Sequence, residues 1–304
     1  MAKILVATDK PFAKSAVDGI KKVLDEAGFE LALLEGYTSP ADLINAVADV
    51  DAMIVRSDIV SKDVVEAGKN LKIVVRAGAG YDNLDLAACT AKNVVAMNTP
   101  GQNSNAVAEL AIGMMVYIAR GCFNGKSGSE LKGKTLGIHA YGYVGKAIST
   151  IAKGFGMKVI AFDPFLNKED FKDVEVVDSV EKLYSSCQYV SINIPATEKT
   201  KKSINFELLS KMPKGATLVN TARKEVIDEV GLLKVFAERP DFKYVSDVAP
   251  DCAAEIAEKF KDRFFFTPKK MGAQTSEANN NAGVAAAKQI VKFLKTGDTT
   301  FKVN

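Results

Sequence analysis

A glycine-rich turn between Gly137 and Gly145 carries the clearest chemical signal, because its small residues are spaced to let a backbone approach a phosphate. The turn follows an apolar strand pattern, opens a helical pattern and contains the spacing Ala140-x-Gly142-x-x-Gly145. In such turns the second glycine admits a pyrophosphate and the third lets helix and strand pack closely, while the helix N-terminus attracts negative charge. Alanine fits the first position only if its φ stays negative, and we expect that at Ala140.

The aspartate that ends the next strand pattern makes this turn a predicted dinucleotide site. Asp163 lies 18 residues after Gly145, where a carboxylate accepts hydrogen bonds from the adenosine ribose hydroxyls. Its charge repels a 2′-phosphate and no arginine follows it closely, so the sequence predicts NAD rather than NADP as the cofactor. The competing interpretation is an ordinary βα unit with a surface aspartate.

Apolar runs of strand length alternate with helical patterns along the whole chain, which is typical of a doubly wound parallel sheet. A turn-rich stretch at 98–104 divides the runs into two series, and a long apolar helix over Ala106–Arg120 follows it. We therefore predict the α/β class with two Rossmann-like doubly wound parallel-sheet domains. A last helix, Asn279–Thr296, is apolar on one face and could pack on either half.

The composition is that of an ordinary globular protein and argues against several function classes. The 304 residues carry a net charge of +3 from scattered basic side chains, so nothing favours a nucleic-acid partner. The four cysteines form no CxxC pair, which indicates reduced thiols and no metal site. We find neither a signal peptide nor the roughly 18 consecutive apolar residues of a membrane span, and therefore expect a cytoplasmic protein without a membrane partner.

Six segments, taken together and in order, resemble the D-2-hydroxyacid dehydrogenase family along essentially the whole chain. They are Val-Arg-Ser at 55–57, Val-Arg-Ala-Gly-Ala-Gly-Tyr-Asp-Asn-Leu-Asp at 75–85, Met-Asn-Thr-Pro-Gly-Gln-Asn-Ser at 97–104, Ala-Glu-Leu at 108–110, Asn-Thr-Ala-Arg-Lys-Glu-Val-Ile-Asp-Glu at 220–229 and Thr-Pro-Lys-Lys-Met-Gly-Ala at 267–273. The resemblance implies a discontinuous substrate-binding domain of residues 1–98 plus 279–304. An NAD-binding domain over 99–278 is inserted into it, with the active site in the cleft. It also implies hydride transfer between NAD and a small 2-hydroxy acid, in a homodimer formed through the nucleotide domain.

The resemblance further implies which residues contact NAD. Tyr143 and Val144 correspond to pyrophosphate contacts, Thr221 and Ala222 flank the nicotinamide, and Asp247 meets its carboxamide. The full set of predicted cofactor contacts is Ala140, Gly142, Tyr143, Val144, Gly145, Asp163, Ile194, Pro195, Thr200, Thr221, Ala222, Arg223, Asp247, Gly272 and Ala273.

Two catalytic positions follow from the resemblance, and one of them departs from the family pattern. Arg223 matches the family's catalytic arginine, whose guanidinium can hold a substrate carboxylate or carbonyl in two-pronged geometry. The family's acid/base histidine corresponds to Lys269, and the glutamate that pairs with it corresponds to Cys252, with Asp251 beside it. Both halves of the usual histidine–glutamate pair are therefore replaced.

We assign the proton chemistry to Lys269, because the chain's single histidine, His139, lies in the cofactor turn and points toward the sheet or the adenine side. A lysine, with a reference pKa of about 10.4, accepts a proton near neutrality only when its surroundings lower that pKa. Loss of the glutamate and the proximity of Arg223 both act in that direction. The alternatives are that Lys269 is a solvated charge in an inactive site, or that Lys270 is the base.

Substrate binding is predicted at two strand ends, which form separate anion sites. The first is a backbone nest with an arginine in the run Arg76-Ala77-Gly78-Ala79-Gly80, and the second is Arg56-Ser57, completed by Asn103 and Ser104. Two anion sites suit a substrate with a carboxylate and a phosphate, so we expect oxidation of D-3-phosphoglycerate to 3-phosphohydroxypyruvate.

Several alternatives remain open for the substrate and the function. Arg56 could instead pair with Asp58, and the substrate could be glycerate, hydroxypyruvate or glyoxylate. A non-catalytic NAD(H)-sensing protein is the alternative from another class. Because no regulatory domain follows the last motif, we do not expect serine feedback through such a domain.

Overall fold

The structure, a computed structural model, describes residues 1–171 and 174–304 and divides into two compact units. The first unit combines Met1–Asn103 with Gln274–Asn304, and the second is Ser104–Ala273. Both are parallel-sheet α/β units, which confirms the predicted fold class. The predicted limits were 98/99 and 278/279, so the discontinuous unit is longer than expected at both crossings. At the first crossing the chain stays tied to its own sheet, because the Thr99 N–H donates to the Gly78 carbonyl at 3.0 Å.

The first unit is built on five parallel strands. They are β1 (Lys3–Thr8), β2 (Glu30–Glu35), β3 (Ala52–Val55), β4 (Ile73–Arg76) and β5 (Val95–Asn98). Their order across the sheet is β2-β1-β3-β4-β5. The residues of β3 are buried without alternation, because helices cover both faces of a doubly wound sheet.

Five helices pack around this sheet. They are α1 (Lys14–Ala27), α2 (Pro40–Ala46), α3 (Lys62–Ala67), α4 (Leu86–Ala91) and α11 (Ser276–Thr296). Helix α11 packs on α1 of its own unit. It begins three residues before the predicted start at 279, because the Thr275 side chain accepts a hydrogen bond from the Ala278 N–H at 3.1 Å and caps the first turn.

The second unit has a seven-stranded parallel sheet. Its strands are β6 (Thr135–His139), β7 (Lys158–Phe162), β8 (Glu175–Val176), β9 (Tyr189–Ile192), β10 (Thr217–Asn220), β11 (Lys243–Ser246) and β12 (Phe264–Phe266). Their order is β12-β11-β10-β9-β6-β7-β8. The order reverses between β6 and β9, so the connections leave on opposite faces and open a crevice at the carboxyl edge of these two strands.

The helices of the second unit cover both faces of its sheet. They are α5 (Ser104–Ala119), α6 (Tyr143–Gly154), α7 (Val180–Ser186), α8 (Phe206–Leu209), α9 (Glu229–Glu238) and α10 (Ala253–Lys259). Three short 3₁₀ turns cover Gly121–Phe123, Lys168–Asp170 and Lys224–Val226. Helix α5 starts two residues before the predicted Ala106 and buries Ala108, Ala111 and Met115 completely. Among the residues described, no helix is long and apolar enough to cross a membrane.

Candidate cofactor site and catalytic loop

The glycine-rich turn joins β6 to α6 at the crevice of the second sheet. A Cβ on Gly145 would lie 2.5 Å from the Ala140 carbonyl oxygen and 2.9 Å from Cγ2 of Ile138. Only glycine therefore allows the helix to approach the strand this closely, as the motif predicts. Around Gly142, in contrast, a Cβ would meet no atom within 4 Å, which leaves the backbone open to a ligand.

The backbone of Ala140 departs from the prediction. Its φ is +75°, in the left-handed region, and not negative. The turn needs this conformation whatever residue occupies the first position of the motif, because the chain must reverse between the end of β6 and the start of α6. A left-handed alanine costs about 1 kcal/mol or more in backbone strain. Alanine can therefore stand at the position of the motif's first glycine, but only with this strain.

The first turn of α6 presents N–H groups that have no partner inside the helix. Gly142 is the N-cap, with an extended backbone (φ −73°, ψ −160°), and Tyr143 and Val144 are the first helical residues. The Tyr143 side chain is 61% exposed, so this helix end is open to solvent. Such an end binds an anionic group through backbone donors and the helix dipole.

Asp163 lies at the end of β7 and orders the turn beside it. One carboxylate oxygen accepts from the Tyr141 N–H at 2.9 Å, and the other accepts from the Phe165 N–H at 3.0 Å. An ionised carboxylate has about four acceptor positions. The side chain therefore keeps capacity for two ribose hydroxyls while it holds the glycine-rich turn in place.

Two buried polar atoms at the carboxyl edge of the sheet lack a hydrogen-bond partner among the described residues. They are Oγ1 of Thr221, after β10, and Oδ1 of Asn193, after β9. Buried polar groups are almost always paired, so unpaired ones near a crevice indicate a ligand that completes them. Together with the open space at Gly142, these atoms fit a nicotinamide dinucleotide. Asn193 was missed by the sequence prediction, although a polar residue directly after a buried strand is a usable signal.

Three other predicted cofactor contacts follow β9. Ile194 is buried, and Pro195 is exposed beside it. The Thr200 hydroxyl donates to the Pro195 carbonyl at 2.5 Å and accepts from the Thr197 N–H at 2.7 Å. Thr200 therefore shapes the loop that follows the strand.

Arg223 lies in a turn that the side chain of Asn220 holds rigid. The buried Asn220 amide donates to the Arg223 carbonyl at 2.9 Å and accepts from the Ala222 N–H at 2.9 Å. The guanidinium donates through Nη1 to the Ala222 carbonyl at 3.0 Å. The Asn-Thr-Ala-Arg segment at 220–223 is thus a turn in which a side chain bonds the backbone, and it places the arginine after the end of β10.

Asp247 follows β11, and its side chain is buried. Its Oδ1 accepts from the Thr267 hydroxyl at 3.0 Å and from the Met271 N–H at 2.7 Å. Its Oδ2 accepts from the Gly272 N–H at 2.7 Å. Lys269 lies between these bonded residues, and its side chain is exposed. Within residues 1–171 and 174–304, Lys269 forms neither an ion pair nor a side-chain hydrogen bond.

The position of the family glutamate is occupied by a different local arrangement. Asp251 forms an ion pair with Lys224. The Glu229 carboxylate accepts from the N–H groups of Asp251 and Cys252, both at 2.8 Å. Burial, followed by the nearby Glu229 carboxylate, raises the pKa of the Cys252 thiol to about 12, so it stays protonated. Glu229 was not predicted as a site residue. Its only sequence signal was that it is the glutamate with which α9 begins.

His139 is part of the sheet core. Its ring is buried, with Nδ1 3.3 Å from the Tyr184 hydroxyl and a tilted contact to Phe162. Burial lowers its pKa to about 4, so it is neutral at ordinary pH. Of the two predicted directions, the structure has the one toward the sheet.

In the first unit, the guanidinium of Arg56 is largely bonded to its own chain. It donates to the carbonyls of Lys10 at 3.0 Å and Pro11 at 3.3 Å, and to Oδ1 of Asn279 at 2.8 Å. The alternative partner, Asp58, accepts from the Arg56 backbone N–H instead, at 3.1 Å. Arg56 therefore ties the loop after β1 to α11 within this unit.

Two of the N–H donors in the predicted nest at 76–80 are already bonded, which corrects that part of the prediction. The Ala77 N–H donates to the Val55 carbonyl at 2.8 Å, and the Gly78 N–H donates to the Arg76 carbonyl at 2.9 Å. A Cβ on Gly78 would overlap Nη1 of Arg76, so this glycine makes room for the guanidinium. The strand ladder and a tight turn have used these two backbone donors, and the Arg76 guanidinium donates through Nε to the Arg56 carbonyl at 3.0 Å. Asn103, half-buried, ends the unit.

Residues 112–268 match the family model described as D-isomer specific 2-hydroxyacid dehydrogenase, NAD binding domain. The chain is 38% identical over 287 residues to a hydroxypyruvate reductase of Thermotoga maritima, covering 87% of this chain and 92% of the reductase. It is 36% identical over 316 residues to a D-3-phosphoglycerate dehydrogenase of Methanocaldococcus jannaschii, covering 97% of this chain but 58% of that enzyme. The chain thus spans less than two thirds of the length of that dehydrogenase.

A solved structure is similar to both units. The NAD⁺-bound 3-phosphoglycerate dehydrogenase of Entamoeba histolytica has 48% sequence identity and a TM-score of 0.91, covering 100% of this chain and 98% of that chain. Its NAD and the matched NAD-binding family agree with the fit of the glycine turn, Asp163 and the unpaired polar atoms. The chain therefore belongs to the D-isomer specific 2-hydroxyacid dehydrogenase family, and as a member of it is an NAD-dependent 2-hydroxyacid dehydrogenase.

Proposed function

We propose that this protein oxidises D-3-phosphoglycerate to 3-phosphohydroxypyruvate with NAD, a reaction that begins serine synthesis. The observation that carries the proposal is the 48% identity, over the whole chain, to the 3-phosphoglycerate dehydrogenase of Entamoeba histolytica. The similarity to the Methanocaldococcus jannaschii enzyme supports it independently.

Each cofactor-binding residue has a defined task in this proposal. The N–H groups of Tyr143 and Val144 bind the pyrophosphate, and Asp163 accepts the adenosine ribose hydroxyls. Thr221 and Asn193 bond the nicotinamide end through their unpaired oxygens. Bound NAD supplies the hydride acceptor for C2 of the substrate.

The protein's own chemistry then consists of orientation and proton transfer. Arg223 holds the substrate carboxylate in a charge-assisted pair, which fixes C2 relative to the base. The Lys269 amine takes the C2 hydroxyl proton as the hydride leaves, and the C2–O bond becomes a carbonyl. Arg76, Ser57 and Asn103 are the candidates for the remaining anionic group of the substrate, since Arg56 is committed to backbone carbonyls.

One observation favours a second candidate function. The 38% identity to the Thermotoga maritima hydroxypyruvate reductase covers 92% of that enzyme. Under this alternative the same residues act in the reverse direction on an unphosphorylated 2-keto acid. Lys269 would then donate the proton to the new hydroxyl.

The discriminating experiment compares matched substrates that differ only in the phosphate. NADH formation is measured with D-3-phosphoglycerate and D-glycerate, and NADH consumption with 3-phosphohydroxypyruvate and hydroxypyruvate. We expect kcat/KM to favour the phosphorylated member of each pair by about 100-fold, as expected from one well-made charged contact. Preference for hydroxypyruvate over its phosphorylated form would replace the proposal with the reductase function.

We also propose a homodimer formed through the nucleotide domain, with α5 in the interface. Sedimentation equilibrium should give twice the chain mass of 32.6 kDa. A mass that stays at one chain up to high protein concentration would contradict this.

A further inference from the structure

Asp247 and the loop that follows β12 form one bonded unit around the proposed base. We propose that Asp247 is a positioning residue that holds both ends of the Lys269 loop. This role is additional to the predicted contact with the nicotinamide carboxamide. The inference rests on the proposed role of Lys269 and adds a residue that holds it in place.

The clamp consists of three hydrogen bonds to one carboxylate. Thr267, two residues before Lys269, donates its hydroxyl to Oδ1 at 3.0 Å. Met271, two residues after it, donates its N–H to the same oxygen at 2.7 Å. Gly272 donates its N–H to Oδ2 at 2.7 Å. The loop is thus held on both sides of the lysine by the same buried side chain.

The surroundings of the clamp keep it rigid and dry. Asp247 is 2% exposed and Thr267 is 3% exposed, so water does not compete for these bonds. The Thr267 N–H also donates to the Ser246 carbonyl at 3.1 Å, which continues the ladder between β11 and β12. A Cβ on Gly272 would lie 2.8 Å from Oδ2, so glycine is needed for the approach.

Such a clamp has a clear purpose if an exposed lysine is the base. The Lys269 side chain has no partner among the described residues, and a free lysine samples many rotamers. Fixing the backbone on both sides limits that freedom to the side chain itself and keeps the amine near the reacting hydroxyl. Three protein donors also fill most of the roughly four acceptor positions of the carboxylate. Asp247 therefore has at most one position left for a carboxamide.

Two variants test the clamp, and a third is a matched control. Asp247→Asn replaces an acceptor oxygen with an amide donor that faces a backbone N–H. Thr267→Val removes only the hydroxyl bond and leaves the carboxylate intact. Asp241→Asn is the control, because Asp241 precedes β11 at the opposite edge and likewise accepts a backbone N–H, that of Gly215, at 2.6 Å.

Hydrogen exchange of the peptide 267–273, measured by mass spectrometry without NAD, shows whether the loop amides are protected. This readout does not depend on enzyme activity. We expect Asp247→Asn to remove the protection of the Met271 and Gly272 amides and Thr267→Val to reduce it. The rate of acylation at Lys269 at a fixed pH, relative to Lys270 in the same peptide, should change in both. Asp241→Asn should leave both readouts as in the parent protein.

Steady-state kinetics separate positioning from cofactor contact. We expect Asp247→Asn to lower kcat at least tenfold and Thr267→Val to lower it by about two- to fivefold, with the Kd for NAD changed less than threefold. Unaltered loop protection in Asp247→Asn would overturn the clamp, as would a large rise in the NAD Kd at constant kcat.

The two proposals fail in different ways. If Lys269→Ala keeps full turnover while the clamp variants still lose loop protection, the base assignment falls and the clamp remains. If Lys269→Ala is inactive while Asp247→Asn and Thr267→Val match the parent in exchange and kcat, the clamp falls and the base assignment remains.

Discussion

The carboxyl edges of the two sheets differ in how their cationic side chains are bonded, although both have buried oxygens without a partner among the described residues, in the first unit Oγ1 of Thr99 after β5. In the first unit the guanidinium of Arg56 is bonded to carbonyls and an asparagine of its own unit. In the second unit Thr221 and Asn193 have buried oxygens without partners among the residues described, and Lys269 extends into solvent. A strand-end polar residue that is already bonded supports the fold, while one left unpaired is available to a ligand.

The largest expected effect concerns Lys269, where the comparison predicts loss of function without loss of stability. Lys269→Ala should lower kcat by about 10²- to 10⁴-fold, the range for removal of a general acid/base. Its unfolding midpoint in urea and its NAD Kd should stay near those of the parent. Lys270→Ala is the matched control, and equal losses in the two variants would contradict the assignment.

His139 sharpens the comparison, because it ends β6 directly before the glycine-rich turn and yet is bonded in the core. Its folded pKa of about 4 lies below the ordinary 6.5. The native state thus binds a proton less readily than the unfolded chain. Its contribution to stability is complete above about pH 6.5 and is lost as the pH falls toward 4, by about 3 kcal/mol.

The measurement is the free energy of unfolding in urea at pH 7 and pH 4.5 for the parent and His139→Asn. Between pH 7 and pH 4.5 the free energy of unfolding of His139→Asn should fall by about 2 kcal/mol less than that of the parent, since asparagine binds no proton. An unchanged pH slope in the variant would show that other groups control acid stability.

Arg56 and Arg223 are the same residue type in the two units, and their variants separate a structural role from the proposed substrate-binding role. Arg56→Ala removes three bonds within its unit and should cost about 1–3 kcal/mol of unfolding free energy. Arg223→Ala should instead lower kcat/KM by at least about 100-fold, as expected when a charged contact to substrate is lost. Paired urea titrations and initial rates check this, and the reverse pattern would break the comparison.

The smallest expected effect is at Ala140, where the strain is local. Ala140→Gly relieves a left-handed alanine but adds freedom to the unfolded chain, so we expect a net gain of at most about 1 kcal/mol. Gly145→Ala should instead destabilise the protein and weaken NAD binding, because the added Cβ would lie 2.5 Å from the Ala140 carbonyl oxygen. Thermal unfolding and NAD titration of both variants check the pair, and a destabilised Ala140→Gly would refute the strain.

Much of the fold and part of the site could be predicted from local pattern. Strand and helix positions were recovered because uninterrupted apolar runs and 3.6-residue periods are local signals. The packing role of Gly145 was predicted correctly, because close approach of helix and strand depends on one residue type. The φ of Ala140 was not, because the closure of the turn and not the residue decides it.

The sequence by itself determined the α/β class and the glycine-rich turn with Asp163 beside it, since each is a matter of residue type and spacing. The resemblance to the family adds the prediction that Lys269 stands where the family has a histidine. Only the tertiary structure decided which strand-end groups are occupied, namely that Arg56 serves its own unit and that Asp247 holds the Lys269 loop. The physical reason is that hydrogen-bond satisfaction depends on partners distant in the chain. Asp247 and Met271 are separated by 24 residues, and Arg56 and Asn279 by 223.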